Sequence, residues 1–384
     1  MSARVAPLRA ATGARVALLG TGTVGSAAWA RLAAWSGTPF GDRLRLVYAA
    51  NSRHALHDPA GIPVEVGALL GQSQPVAASL DAVADALDGG GCRIVLDASA
   101  SEAVAERHAD WLARGIHVVT ACKLGQGGPL ARWASIQAAR RRGGACYGDS
   151  ATVGAGLPIL RSLRELQAGG DRIHAVAGVL SGSLAWLFHH YDGLRPFSNF
   201  VRAARDAGYT EPDPRDDLSG EDVRRKLLIL ARTAGHALES DAVQVDSLVP
   251  PALRDASVAA FDDALPVLDA PMRERFAAAY KGGAKLRLVA RLQAGGRATV
   301  GLEALAADDP LAIGGGTDNR VAIWSDRYSE RPLVIQGPGA GAQVTAAAML
   351  DDALAIQTEA ARAQASPVAS RPKNASIGRG RWNT

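Results

Sequence analysis

Between residues 15 and 141 short apolar runs alternate with stretches whose apolar positions recur every three or four residues. The runs at 15–20, 44–50, 93–97 and 117–121 read as strands buried on both faces, because none of them alternates with polar positions. The intervening stretches 26–35, 81–87, 101–114 and 129–141 carry helical spacing. Strands alternating with helices predict an α/β fold, a Rossmann-type parallel sheet with helices on both faces, over residues 14–150. The pattern changes after residue 149. Longer helical segments follow at 197–207 and 219–237, and β-like runs at 286–292 and 298–302 flank Gly295-Gly296. A strand at 333–336, the run Gly337-Pro-Gly-Ala-Gly341 and a helix at 344–361 close the patterned region. These predict a second, α+β domain over 151–334, with 335–365 returning to complete the first. Residues 1–13 read as a loose arm. Residues 366–384, rich in Pro, Ser, Gly and Arg, read as a disordered tail.

Composition excludes several classes. At 48% hydrophobic and 21% charged, the 384-residue chain matches a folded globular protein. A net charge of +4 spread over both halves is too weak to suggest nucleic acid. No apolar run approaches the roughly 18 residues of a membrane span, and the N-terminus lacks the apolar stretch of a secretory signal. Cys92, Cys122 and Cys146 have neither a disulfide framework nor metal-ligand spacing. The expectation is a cytoplasmic protein without nucleic-acid or membrane partners. Of 42 cationic residues only five are lysine: Lys123, Lys226, Lys281, Lys285 and Lys373. Arginine stays protonated at any accessible pH, whereas burial can tune a lysine into an acid or base. A lysine inside a motif is therefore a candidate for chemistry.

The turn Gly20-Thr-Gly22-Thr23-Val24-Gly25 joins the first strand to the first helix. Its first glycine permits the tight turn and its second lets backbone approach a pyrophosphate. The third allows close helix–strand packing, and the helix N-terminus favours the phosphates. In that context the turn predicts dinucleotide binding. The second strand ends Ala50-Asn51-Ser52-Arg53, without the acid that accepts bonds from an NAD ribose and with an arginine within reach of a 2′-phosphate. This favours NADP and leaves NAD open, since Arg53 is also one of many scattered arginines.

From Glu211 to Asp222 six carboxylates fall in twelve residues, around two prolines: Glu211-Pro-Asp213-Pro-Arg-Asp216-Asp217-Leu-Ser219-Gly-Glu221-Asp222. Asp213, Asp216 and Glu221 read as solvated acids near a helix start that Ser219 caps. At 100° per residue, Arg224, Arg225 and Arg232 mark the water face of that helix, and Val223, Leu227, Leu230 and Ala234 its buried face. Asp222 and Lys226, four apart, border the buried stripe. A lysine at the rim of a core beside a carboxylate is placed for a perturbed pKa and proton transfer. Cys122, at a strand end, reads as inert, and His117, His174, His189 and His190 as structural.

From about residue 15 to about residue 361 the chain resembles the homoserine dehydrogenases, in particular the dehydrogenase part of bifunctional aspartokinase–homoserine dehydrogenases. The resemblance rests on the run from Glu211 to Lys226, on Ala50-Asn-Ser-Arg53 and on His117-Val-Val-Thr-Ala-Cys-Lys123. It also includes Thr152-Val-Gly-Ala-Gly-Leu-Pro158, Gly178-Val-Leu-Ser-Gly-Ser183 and the run ending at Gly341. It implies reversible NAD(P)H-dependent reduction of aspartate 4-semialdehyde to homoserine, in threonine or methionine synthesis. Lys226 then matches the catalytic lysine, and Lys123 a second lysine near cofactor and substrate. Glu211, Asp217 and Asp222 match substrate-binding carboxylates, and Gly208 and Gly341 the cofactor–substrate cleft. A sodium or potassium ion is implied on the backbone oxygens of Val153, Ala155 and Leu157, although Ser150 stands where an acidic side chain is usual. A homodimer built through the second domain is implied as well. The spans before the glycine turn and after the last helix are too short for a kinase or a regulatory domain, so the sequence reads as monofunctional. Two alternatives stay open: a nucleotide-binding regulatory protein without turnover, and a dehydrogenase of another semialdehyde.

Overall fold

The computed structural model describes residues 13–63 and 79–365. The expected tail, and the expected arm apart from Gly13, lie outside the described residues. Six strands form the first sheet: β1 (Ala14–Leu19), β2 (Leu44–Ala50), β3 (Ala55–His57), β4 (Arg93–Asp97), β5 (His117–Thr120) and β6 (Tyr147–Gly148). Their order is β3-β2-β1-β4-β5-β6, all parallel except β3, which folds back antiparallel on β2. The middle positions of the central strands, such as Val16–Leu19 and Ile94–Leu96, are apolar because helices cover both faces. On one face the helices Thr23–Ala34 and Ala342–Ala365 pack Trp29, Leu32, Met349 and Leu350 against Val16 and Leu18. On the other, Glu102–Ala113 and Leu130–Gly143 bring Trp111, Leu112 and Ile136 against Val95 and Val118. Strand order reverses between β1 and β4, so a crevice opens at their carboxyl ends, where α/β sheets bind ligands.

The second sheet comprises β7 (Ile173–Val179), β8 (Val243–Val245), β9 (Lys285–Leu292), β10 (Ala298–Leu305), β11 (Asp318–Ser325) and β12 (Leu333–Pro338). Its order is β12-β11-β7-β9-β10-β8, antiparallel except between β10 and β8. The helix Glu221–Thr233 lies across it, and its Val223, Leu227 and Leu230 share one core with Leu288 and Val300. One expected boundary moves. β12 pairs antiparallel with β11 over residues 333–338, so those residues belong to the second sheet. Only the helix Ala342–Ala365 rejoins the first layer, not the whole of 335–365. Among the described residues no helix is long and apolar enough to cross a membrane.

Candidate active site

The glycine turn leaves β1 at the crevice. Gly20 takes φ +90°, and a Cβ there would lie 2.8 Å from the Ala98 backbone. A Cβ on Gly25 would fall 1.9 Å from the Gly20 carbonyl oxygen. The chain's own packing therefore demands both. Gly22 is different: it heads the helix Thr23–Ala34 without a side-chain cap, and a Cβ there would meet nothing within 4 Å. The first-turn N–H groups of a helix lack intrahelical partners, so this end offers both the space and the donors that an anion needs. After β2, Asn51 donates through Nδ2 to Thr21 Oγ1 at 2.9 Å and accepts the N–H groups of Arg53 and His54 at 2.8 Å each. That turn exposes Ser52 and Arg53 beside the glycine turn.

Lys123 leaves the end of β5 and opens a short helix, Leu124–Gly127. A Cβ on Gly127 would lie 3.0 Å from the Arg225 carbonyl oxygen, so the absence of a side chain there lets this helix lie directly on Glu221–Thr233. The contact brings the two motif lysines to one carboxylate. Lys123 Nζ lies 3.2 Å from Asp222 Oδ1, and Lys226 Nζ lies 2.8 Å from Asp222 Oδ2. Lys226 is 9% exposed and also donates to the Leu180 carbonyl at 2.7 Å. The same carbonyl accepts Asn319 Nδ2 at 3.3 Å. Burial drives the Lys226 pKa down; Asp222 pulls the other way and Lys123 adds to the depression. For Asp222 burial pushes up, but the two ammonium groups outweigh it and hold the carboxyl well below its usual range.

Asp217 sits one turn before this helix. It accepts the Ser183 hydroxyl on Oδ1 and the Glu211 N–H at 2.9 Å on Oδ2. Burial raises its pKa against those two bonds, with Asp222 and Asp216 adding to the rise. The Glu211 side chain is exposed, and no hydrogen bond or ion pair among the described residues joins it to the lysines. Gly208 (φ +73°) is exposed. Gly341 (φ +123°) precedes the helix Ala342–Ala365 and accepts Thr345 N–H at 3.0 Å.

Several expectations change. The helix begins at Glu221 rather than Ser219, with Gly220 in the left-handed region at φ +76°; the Ser219 hydroxyl still accepts the Glu221 N–H, at 3.3 Å. Asp213 and Glu221 are not merely solvated: each pairs with an arginine, Arg215 and Arg224, at 2.6 Å. Arg232 is 3% exposed instead of on the water face. Its guanidinium donates to the carbonyls of Gln126, Gly128 and Leu238, so it fastens the Lys123 loop to the Lys226 helix. Cys122 fits its inert reading, since burial pushes the thiol up to about 12.

Val153, Ala155 and Leu157 lie in a tight turn after Ser150–Thr152, with Ala155 at φ +49°. The Leu157 carbonyl accepts Ile159 N–H at 2.8 Å. Ser150 donates its hydroxyl to Asp352 Oδ1 at 2.8 Å and its N–H to Asp352 Oδ2 at 3.0 Å. An acid from the last helix thus stands against the position that lacks one. Among the described residues no group of three or more His, Cys, Asp or Glu side chains could hold a metal.

A dinucleotide-shaped turn at a strand-order reversal, beside a lysine–carboxylate–lysine cluster, is the arrangement of fold and site found in nicotinamide-dependent oxidoreductases. Comparison with known proteins narrows it. Residues 158–354 match the homoserine dehydrogenase family, and residues 20–147 match the homoserine dehydrogenase NAD-binding domain. The chain therefore belongs to the homoserine dehydrogenase family. It is 46% identical over 259 residues to an Escherichia coli bifunctional aspartokinase/homoserine dehydrogenase, covering 67% of this chain and 32% of that protein. It thus spans about a third of the length of that bifunctional relative. It is 38% identical over 290 residues to the homoserine dehydrogenase of Schizosaccharomyces pombe, covering 73% and 77% of the two chains. Among solved structures, a Candida auris protein of unknown function superposes with a TM-score of 0.83 at 34% identity, over 90% of this chain and 98% of that one.

Proposed function

We propose that this protein catalyses the reversible reduction of L-aspartate 4-semialdehyde to L-homoserine, with NADP(H) preferred and NAD usable. The observation that carries this reading is the bridge Lys123–Asp222–Lys226, with a buried lysine, beside an open glycine turn. Gly20, Gly22, Thr23, Val24 and Gly25 would hold the pyrophosphate, Asn51, Ser52 and Arg53 the adenosine ribose, and Gly208 and Gly341 the walls of the cleft. A nicotinamide bound there supplies hydride to the aldehyde carbon or takes it back. Lys226 donates a proton to the forming alkoxide in reduction and removes the hydroxyl proton in oxidation. Its lowered pKa makes the neutral form easier to reach than that of an ordinary lysine. Glu211, Asp217 and Asp222 supply the negative charge that an α-ammonium group requires, and the exposed Glu211 carboxylate is free to turn toward it. Lys123 adds a second cation where substrate and nicotinamide meet.

The proposal extends to a homodimer formed through the domain at 151–334 and to a place in threonine or methionine synthesis in the cytoplasm. It also includes a sodium or potassium ion on the carbonyls of Val153, Ala155 and Leu157. There Asp352, held by Ser150, would supply the charge that Ser150 lacks.

The test is the growth of reduced-nicotinamide absorbance with homoserine, measured with NADP and NAD side by side. No growth with either, despite measurable NADPH binding, would remove the proposal in favour of a binding protein. Arg53→Ala is expected to raise the KM for NADP about tenfold, the worth of one charge-assisted contact to a phosphate, and to leave the KM for NAD within about twofold. Equal changes for both coenzymes would show that Arg53 does not read the 2′-phosphate.

A further inference from the structure

The proposed chemistry does not use a group of polar side chains sealed beneath the Lys123 loop. Asp97 ends β4 and is 0% exposed, as are Thr120 at the end of β5 and His108 on the helix Glu102–Ala113. Asp97 Oδ1 accepts Ser99 N–H at 2.9 Å and Ser99 Oγ at 2.6 Å. Its Oδ2 accepts Thr120 Oγ1 at 2.9 Å and faces His108 Nε2 at 3.1 Å. His108 Nδ1 meets the Tyr147 hydroxyl at 2.9 Å. A carboxylate withdrawn this far from water is held only if its lone pairs are filled, and here Ser99, Thr120 and His108 fill them.

What these bonds fix is specific. Thr120 Oγ1 donates to Asp97 and accepts Cys122 N–H at 2.8 Å, which sets the backbone one residue before Lys123. Gly125, two residues after Lys123, lies over the same group: a Cβ there would be 2.4 Å from the Tyr147 hydroxyl and 3.0 Å from His108 Nδ1. The other oxygen of Asp97 folds the turn at Ala98 and Ser99, whose backbone lies 2.8–2.9 Å from where a Gly20 Cβ would be. One carboxylate thereby sets both the wall behind the glycine turn and the direction in which Lys123 leaves the sheet.

We infer that Asp97 and Thr120, braced by His108 and Tyr147, are positioning residues that aim Lys123 at Asp222. The inference rests on the proposed role of Lys123. Its test is a double-mutant cycle. Thr120→Val keeps the shape and removes the hydroxyl; Thr120→Ser keeps the hydroxyl. Thr120→Val is expected to lower kcat for homoserine oxidation about tenfold, the effect of a displacement of well under an ångström in a charge beside the reacting atoms, with the Kd for NADPH within about twofold. Thr120→Ser is expected to restore turnover. In a Lys123→Ala background Thr120→Val is expected to add less than about a further twofold, since a group acting through Lys123 has nothing left to aim. Full additivity, or wild-type kcat in Thr120→Val, overturns the inference. Wild-type kcat in Lys123→Ala overturns the role of Lys123 and the inference with it. Amide hydrogen exchange over residues 121–125 gives a readout independent of turnover. It is expected to quicken in Thr120→Val and not in Thr120→Ser, and unchanged exchange in both overturns the inference even if the enzyme acts on another substrate.

Discussion

Lys226→Ala is expected to lower kcat by about two to four orders of magnitude, the usual range for removing a positioned general acid–base. The coenzyme should bind as before. Lys226 lies in the second layer, 2.7 Å from the Leu180 carbonyl and 2.8 Å from Asp222, whereas the glycine turn belongs to the first. Fluorescence titration with NADPH alongside steady-state rates separates the two effects. Unchanged turnover would end the proton-transfer role, and lost NADPH binding would reassign the residue to the cofactor site. The wild type supplies a second reading. Homoserine oxidation needs the neutral amine, so its rate should rise with pH and level off below the ordinary lysine value, because burial depresses this pKa. A rate still climbing through the normal lysine range would contradict that assignment.

Asp222→Asn should have a comparable effect for a different reason. The carboxylate gives one oxygen to each lysine, and an amide cannot accept from both on equal terms. Two ammonium groups would then share a cleft without their counter-ion, and kcat/KM is expected to fall about a hundredfold or more. The pH profile gives the sign. Asp222 raises the Lys226 pKa against burial, so its neutralisation should move the inflection of the oxidation rate to lower pH still. A move to higher pH would mean that the titrating group is not Lys226. Glu221, on the same first turn but paired with Arg224, makes a control: Glu221→Gln should stay within about twofold.

Features that depend on neighbours along the chain were legible in the sequence. The strand–glycine–helix turn needs only local spacing, and the placement of Asp222 and Lys226 at the rim of the buried stripe follows from a helix of 3.6 residues per turn. The misplacement of Arg232 shows where that reasoning stops. Helical phase assigns it to water, but the deciding partners are carbonyls at 126 and 128, brought near by a glycine contact that no period encodes. The same holds for Asp97, His108 and Tyr147, which converge from two strands and a helix. Strand β7 is not legible in the sequence because it pairs only with β9 and β11, both distant along the chain, and a run holding Gly and Ala does not declare itself a strand without them. Asp352 is a further case: nothing near it indicates that its carboxylate will meet Ser150.

The helix Ala342–Ala365 carries a consequence for how the protein is made. Met349, Leu350, Ala353 and Ile356 join a core whose other members, among them Val16, Leu18 and Trp29, leave the ribosome long before them. Until that helix emerges, the helix Thr23–Ala34 covers its face of the cofactor-binding sheet without its packing partner, while the second sheet, encoded between, can already assemble. Vectorial synthesis thus finishes the inner part before the outer one, and contacts of such long sequence separation form slowly. A chain stalled before residue 342 should hold a folded second layer on an open, protease-sensitive first one, unable to bind a dinucleotide.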